Sequence, residues 1–508
     1  MKKILKFMVH RLFIVAVMLI IQLSIILLVL WKFQEYFLWF YIINLIISLL
    51  LLLYIINGKD NPSYKIAWAI PILTIPIFGT FCYVMFGGQK ISKKTKIKLD
   101  KMKNKKILHL KQDKDVLTSL KDTSIDAYLQ GNYLLKLANY PIYQNTKIDY
   151  LKIGQDYYKR LIEELKKAKK YIFMEYFIIH EGVFWNAILE VLKQKVKEGL
   201  DVRVIYDDMG CIVTLPSGYF KYLETLGIKC CTFNRFVPVL SARLNNRDHR
   251  KITIIDGIVG FTGGINLADE YINIGSKYGH WKDNGIVLKG DAVWNFTVIF
   301  LSLWDYLKNE KNDYDVYKPF IKNNQEKGYV IPYDDSPLDN ENVGENVYLN
   351  MINKAKKYIY IMTPYLIIDN EMMVALTNAS KSGIKVKIIT PGIPDKKMIN
   401  EVTKAYYPQL LESNVEIYEY DPGFVHAKTF VVDDDYAIVG TINMDFRSLY
   451  LHFECGVWMY QVDSIKDIKK DYEETLEKCH KVTLDEAKKI KFFRNIKRSF
   501  LRLFAPLM

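Results

Sequence analysis

The chain of 508 residues carries a formal net charge of +14, with an isoelectric point near 9.1, and 50% of its residues are hydrophobic. This excludes a disordered chain and leaves room for two or more cores, while the cationic excess calls for an anionic partner, phospholipid and nucleic acid alike. The six cysteines (Cys82, Cys211, Cys230, Cys231, Cys455, Cys479) form no CxxC pair and no ligand spacing, so they read as reduced thiols rather than a zinc site or a disulfide framework.

Residues 9–31, VHRLFIVAVMLIIQLSIILLVLW, are nearly all apolar and long enough as a helix to cross about 30 Å of hydrocarbon. They lack a small-residue cleavage site, which favours an uncleaved anchor. A second run follows at 37–56, and Trp31, Phe33, Tyr36 and Trp39 crowd the short connection as an interfacial aromatic belt would. A third run, 64–88, contains Pro71, Pro76 and Gly79, each of which weakens a straight helix. Lys2, Lys3, Lys6 and Arg11 precede these runs, and QKISKKTKIKLDKMKNKK follows them. Cations on both sides prefer the cytoplasm, which requires an even number of crossings. Residues 1–88 therefore read as a multi-pass anchor in the cell membrane, with two transmembrane helices and a re-entrant or interfacial third segment. Three full spans are the alternative. Residues 89–135 read as a basic juxtamembrane linker attracted to an anionic leaflet.

Beyond the linker the sequence is duplicated. AKKYIFMEYFII (168–179) recurs as AKKYIYIMTPYLII (355–368), and GLDVRVIYDD (199–208) as GIKVKIITPG (383–392). Each copy alternates helical and apolar-strand patterns, the signature of an α/β fold with a partly parallel sheet. The polar, proline-bearing stretch 308–345 separates a first half, 136–320, from a second, 321–482. In the tail, 483–508, Ile490, Phe493, Ile496, Phe500, Leu503, Phe504 and Leu507 recur at helical spacing against Lys and Arg. A basic amphipathic helix on the membrane surface and a helix docked on the globular body both fit.

Each half holds one copy of a spaced motif. RDHRKITIIDGIVGFTGGIN (247–266) supplies His249, Lys251, Asp256, Gly263 and Asn266; VHAKTFVVDDDYAIVGTIN (425–443) supplies His426, Lys428, Asp433, Gly440 and Asn443. On a strand His249 and Lys251 share a face, as do His426 and Lys428. Two imidazoles and two ammonium groups in one pocket suit a phosphodiester: one histidine attacks phosphorus, the other donates to the leaving alcohol and then deprotonates the acceptor, and the lysines hold the non-bridging oxygens. The two imidazoles must then differ in protonation, which calls for acidic partners; Asp283 in GHWKDNG and Glu454 in LHFECG are the candidates. Asp256 and Asp433 complete the motifs and are counted with the catalytic set, although strand-ending turns suit turn and salt-bridge roles better. Tyr176, Tyr365 and Arg447 are candidate pocket walls, with core packing as the alternative for the tyrosines.

These motifs resemble the HKD motifs of the phospholipase D superfamily, and VIYDDMG, LNNRDHRKI, GFTGGINLADEY, EIYEYDPGFVHAKT and GTINMDFRSLYLHFE are similar to bacterial cardiolipin synthases. The resemblance implies two phospholipase D-like α-β-α sandwich halves around a pseudo-twofold axis behind transmembrane helices. It further implies a metal-independent mechanism with no cofactor, while the cations flanking the apolar runs put the catalytic domain on the cytoplasmic face. His249 and His426 become the nucleophile and acid/base pair, Lys251, Lys428, Asn266 and Asn443 the phosphate contacts, and Asp283 and Glu454 the partners behind the histidines. The implied reaction transfers a phosphatidyl group from one phosphatidylglycerol to another through phosphohistidine and releases glycerol. Hydrolysis, and transfer to another alcohol such as phosphatidylethanolamine, are the rivals. Anionic lipids are the implied partners, nucleic acid is not, and a homo-oligomer is left open. The family often has Asn where His452 stands and a Thr-His pair in place of Asn284 and Gly285, positions assigned to the pocket rim.

Overall fold

The computed structural model describes residues 20, 23–24, 27–28, 31–32, 37–87, 93–235, 245–275, 277–321, 326–339 and 341–507. The chain forms two compact units, one of Met1–Lys90, Asn234–Asn246 and Leu503–Met508, the other of Ile91–Phe233 and Arg247–Arg502. The apolar run expected at 9–31 lies almost wholly outside the described residues.

The first unit contains α1 (Phe37–Asn57), α2 (Pro62–Thr74) and α3 (Pro76–Cys82), with a π turn at Tyr83–Gly87. Asn61 caps α2 by accepting from Ser63 N, and Pro62 sits in the first turn, where a missing N–H costs nothing. Ile75 breaks the third apolar run between α2 and α3. The run then folds back on itself: a Cβ on Gly79 would fall 2.2 Å from Pro71 O, and Tyr64 Oη donates to Gly87 O at 2.9 Å. Ile55, Trp68, Ile72 and Tyr83 form a small core joined by Leu507. Leu50, Leu53, Ile56, Leu73 and Ile75 point outward, exposed. The side chains described on α1 are Trp39 and those from Ile42 onward, and among the described residues no helix is long and apolar enough to cross a membrane.

Where a solvated linker was expected, the second unit has α4 (Lys93–His109), α5 (Lys114–Thr123) and α6 (Ile125–Tyr133). Leu120 and Ala127 are fully buried, and Lys105 and Lys106 bind Asp305 and Asp334 at 2.5 and 2.9 Å. Apolar residues among the lysines, and carboxylates on the body to receive them, turn a basic segment into a docked one.

The first half runs β1 (Thr146–Leu151), α7 (Gly154–Lys167), β2 (Tyr171–Tyr176), α8 (Val183–Lys197), β3 (Asp201–Asp207), α9 (Tyr219–Thr225), β4 (Lys229–Phe233), β5 (Lys251–Ile255), β6 (Val259–Gly263), β7 (His280–Lys282), β8 (Gly285–Gly290) and α10 (Val293–Lys308). The second runs β9 (Tyr329–Asp335), α11 (Val343–Lys354), β10 (Tyr358–Met362), β11 (Leu366–Ile367), α12 (Asn370–Lys381), β12 (Lys385–Pro391), α13 (Lys397–Leu411), β13 (Glu416–Tyr420), β14 (Gly423–Val425), β15 (Thr429–Val432), β16 (Tyr436–Gly440), β17 (Met444–Asp445), α14 (Phe446–Tyr450), β18 (Glu454–Tyr460), α15 (Ile465–Leu476) and β19 (Cys479–Lys481). The chain ends in α16 (Leu484–Lys488) and α17 (Phe492–Leu503).

The sheet orders β1-β8-β6-β5-β2-β3-β4 and β9-β18-β16-β15-β10-β12-β13 match strand for strand, β19 adding an edge to the second. In both, the four strands on one side of β2 or β10 pair antiparallel out to the edge, and the two on the other side pair parallel. The strand YIFMEY is buried along its whole length because helices cover both faces. Ile172, Met174 and Tyr176 join the core with Tyr157, Leu161, Phe184 and Ile188, whereas Phe173 stacks on Phe300 of α10 at 4.7 Å.

The halves are sewn together by β7 of the first pairing in parallel with β14 of the second, and by a parallel bridge between Asp248 and Phe453. Asn284 lies in this seam, fully buried, donating to Tyr150 Oη at 2.8 Å and to Thr429 Oγ1 at 2.7 Å. A Cβ on Gly285 would meet the Tyr157 ring at 2.6 Å. Of the three positions assigned to the pocket rim, Asn284 and Gly285 are thus packing positions. Tyr176 is also core, its hydroxyl bonded to Tyr157 at 3.0 Å and Thr253 at 2.8 Å.

Candidate active site

The two seams that join the halves also deliver the histidines. His426 follows β14, and its backbone N donates to Lys282 O at 2.7 Å; His249 follows the Asp248 bridge, and its backbone N donates to Phe453 O at 2.8 Å. Each parallel pairing ends with a carboxylate across from an imidazole. Asp283 Oδ2 lies 2.7 Å from His426 Nδ1, and the Glu454 oxygens lie 2.9 and 3.0 Å from His249 Nδ1. The pairing is crossed: each half supplies the carboxylate that holds the histidine of the other.

Both carboxylates are fully buried and held below the usual carboxylate range, despite burial, by their imidazole partners. Burial pushes His249 down to about 3 and His426 to about 4, with the neighbouring lysines adding to it. The sequence called for imidazoles of unequal protonation; burial instead drives both the same way. With ionised carboxylates and neutral rings, Nδ1 keeps its hydrogen toward the carboxylate and Nε2 offers its lone pair.

Thr441, missed in the sequence, donates to Glu454 Oε2 at 2.5 Å and accepts from Cys455 N at 2.9 Å. Its counterpart after the first motif is Gly264, where a Cβ would lie 2.1 Å from Asp283 Oδ1. The shorter acid needs the space that a glycine leaves, and the longer one takes a hydroxyl support.

Lys251 and Lys428 are buried beside their histidines. Lys251 Nζ donates to His249 O at 2.6 Å, and Lys428 Nζ donates to His426 O and lies 2.9 Å from His426 Nδ1. Burial lowers Lys251 to about 8 and Lys428 to about 7, and the two cations oppose each other. Phe177 meets the His249 ring at 5.0 Å, and Tyr271 and Trp281 each meet the His426 ring at 5.4 Å, so each histidine is only 7% exposed. Such walls limit water.

The remaining expected residues divide. Asn266 accepts from Ile178 N at 3.0 Å and donates to Tyr271 Oη at 2.6 Å, which fixes the loop and the ring on His426. Asn443 Oδ1 is buried with no hydrogen-bond partner among the described residues. Asp256 and Asp433, counted with the catalytic set, touch neither histidine. With φ of 54° and 58°, each turns its carboxylate onto three consecutive backbone N–H groups, Lys169–Tyr171 and Lys356–Tyr358 respectively, at the entrance to β2 and β10. Tyr365 Oη donates to Asp395 at 2.7 Å.

A second buried network escaped the sequence reading. Arg250, between His249 and Lys251 but on the opposite strand face, meets Glu175 at 2.7 Å, Asp248 at 2.9 Å and Asp334 at 3.1 Å, and Lys106 of α4 binds the same Asp334. His249, His452 and Glu454 have ligand atoms close enough to hold a metal ion, but Glu454 is already engaged by His249 and Thr441.

The fold and the paired motifs define a phospholipase D-like enzyme. A family model described as "Cardiolipin synthase, PLD-like domain" matches residues 161–304 and 348–476, and a "Phospholipase_D-nuclease N-terminal" model matches 46–88. A Streptococcus mutans protein of unassigned function is 45% identical over 90% of this chain and 99% of its own. A cardiolipin synthase of Alkalihalophilus pseudofirmus is 32% identical over 88% of this chain and 90% of its own. The crystal structure of a phosphatidylserine synthase from Haemophilus influenzae Rd KW20 shares the fold, with a TM-score of 0.55 at 16% identity, covering 71% of this chain and 93% of that one. The chain belongs to the cardiolipin synthases with a phospholipase D-like domain.

Proposed function

We propose that this chain transfers a phosphatidyl group from one phosphatidylglycerol to the primary hydroxyl of a second, giving cardiolipin and glycerol. The crossed pairing of two buried histidines with two buried carboxylates carries the reading, because a lipid-binding scaffold needs the lysines but neither imidazole.

His249 Nε2 attacks phosphorus and the bond to the headgroup glycerol oxygen breaks, that oxygen taking a proton from His426. The hydroxyl of the second lipid then gives its proton to His426 and displaces His249, restoring both rings. The diester's negative charge, seated against Lys251 and Lys428, offsets the cations that disfavour protonation of His426. Asp283 and Glu454 fix the tautomers. One phosphodiester replaces another, so the aromatic walls serve to keep water from the phosphohistidine.

The enzyme is anchored by two transmembrane segments read from the apolar runs 9–31 and 37–56, with the folded-back run of α2 and α3 re-entrant or interfacial and the catalytic unit on the cytoplasmic face. The outward apolar side chains of α1 and the cations on both flanks of the apolar runs support this. Partners are phosphatidylglycerol and anionic membrane lipids.

The test is product analysis with the full chain in phosphatidylglycerol vesicles. Cardiolipin and glycerol in equal amounts are expected. Phosphatidic acid without cardiolipin overturns transfer in favour of hydrolysis, and a product formed only when phosphatidylethanolamine is added reassigns the acceptor.

A further inference from the structure

Helix α17 docks the wrong way round for a soluble protein. Its arginines, at helical spacing, face the body. Arg494 and Arg498 clasp Glu401 of α13 at 2.5 and 2.7 Å, and Arg502 donates to Gln409 at 3.0 Å, its guanidinium 4.4 Å from the Tyr406 ring centre. Arg498 is buried. The opposite face carries Phe492, Phe493 and Ile496, 72%, 83% and 51% exposed. An amphipathic helix docked on a globular body ordinarily buries its apolar stripe and leaves its cations to water.

We propose that the Phe492–Phe493–Ile496 face of α17 inserts into the apolar boundary of a lipid leaflet, with α13 as its rigid mount. The occupant follows from two observations. Lys497, next to Ile496 and exposed, and Lys491, exposed just before the first turn, remain available to anionic headgroups. The helix also continues directly into a tail whose Leu507 packs on the core of the apolar helical unit, where Trp68, Ile72 and Tyr83 meet. The proposal rests on the membrane placement given above. It differs from a polybasic contact: the arginines are already spent on Glu401 and Gln409, so attachment through this face is hydrophobic and tolerates salt.

The test replaces Phe493, and separately Leu50 of α1 and the exposed Glu190, by p-benzoylphenylalanine in the full chain. The proteins are reconstituted in vesicles of phosphatidylglycerol and phosphatidylcholine, irradiated, and the adducts identified by mass spectrometry. Lipid adducts at 493 and 50 but not at 190 are expected at low salt and at 0.5 M salt alike, because shortening the Debye length to about 4 Å weakens contacts between charges and leaves a hydrophobic one. Adducts at 50 without 493 overturn the proposal while the anchor stands, and lipid adducts at neither position overturn both. Cross-links from 493 to a second copy of the chain overturn it in favour of self-association, and loss of the 493 adduct in salt overturns the hydrophobic mode.

Discussion

Asp283, from the first half of the chain, holds the Nδ1 of His426, from the second, at 2.7 Å, and the reciprocal pair of Glu454 and His249 completes the exchange. Replacing either carboxylate by its amide removes the charge that fixes the ring's tautomer. Asp283→Asn and Glu454→Gln are each expected to lower kcat on the order of 10³–10⁴-fold, the scale seen when a tautomer-holding carboxylate is lost. The two separate on a lipid bearing a p-nitrophenol leaving group, which departs without protonation. Covalent capture of the labelled lipid survives Asp283→Asn and is lost in Glu454→Gln; the opposite pattern makes His426 the nucleophile.

Stability of the catalytic unit is expected to fall in acid. Burial holds the folded His249 near about 3 and His426 near about 4, whereas an unfolded imidazole titrates near about 6.5. Between these values the unfolded chain binds more protons, so stability drops as pH falls, by up to about 1.4 kcal/mol per pH unit for each ring. Below about pH 4 the lowered Asp283 and Glu454 act in the same direction. Thermal melts in detergent from pH 7 to 4 measure the slope, and His249→Asn with His426→Asn is expected to flatten it.

Anion affinity is expected to fall in base. Lys251 and Lys428 lose charge near about 8 and about 7, well below an exposed lysine. Inhibition by a non-hydrolysable phosphodiester should weaken as pH rises from 6.5 to 9, roughly tenfold for each pH unit per lysine discharged. A constant inhibition constant over that range would remove the lysines from the phosphate.

Asp256→Asn and Asp433→Asn are expected to cost stability and spare chemistry. Each carboxylate accepts three backbone N–H bonds at a strand entrance, so the loss is about 1–3 kcal/mol for each variant. Asparagine tolerates the positive φ, which keeps the turn. A lowered Tm with kcat retained in the folded fraction is the expected result; a lowered kcat at unchanged Tm returns both residues to the chemistry.

Arg250→Met is expected to be among the most damaging single changes. It strands Glu175 and Asp248 in the interior and leaves Asp334 to Lys106, and breaking a buried ion pair by one partner costs about 3–5 kcal/mol. Adding Asp248→Asn should recover part of the loss in a thermal melt, since one of the uncompensated charges then disappears.

The duplication and both His-Lys pairs were legible because strand alternation and the internal repeat are local patterns. The crossing was not: whether Asp283 serves His249 or His426 is decided by the parallel pairing of β7 with β14, which joins residues more than a hundred positions apart. Arg250 was hidden between two catalytic candidates, on the strand face that points away from them. In α4 to α6 the lysines dominated the composition, while Leu120 and Ala127, the residues that dock these helices, left a weaker signal. For α17 the pattern revealed an amphipathic helix, but its orientation depended on Glu401, ninety residues upstream.

The exchange of carboxylates ties the inheritance of the two halves together. Neither copy can drift alone, because a change at Asp283 is judged by the fitness of His426 and a change at Glu454 by that of His249. Gly264 beside the aspartate and Thr441 beside the glutamate extend the dependence by one residue each: the copies differ in the acid they lend, and each acid has the neighbour that makes room for it or steadies it.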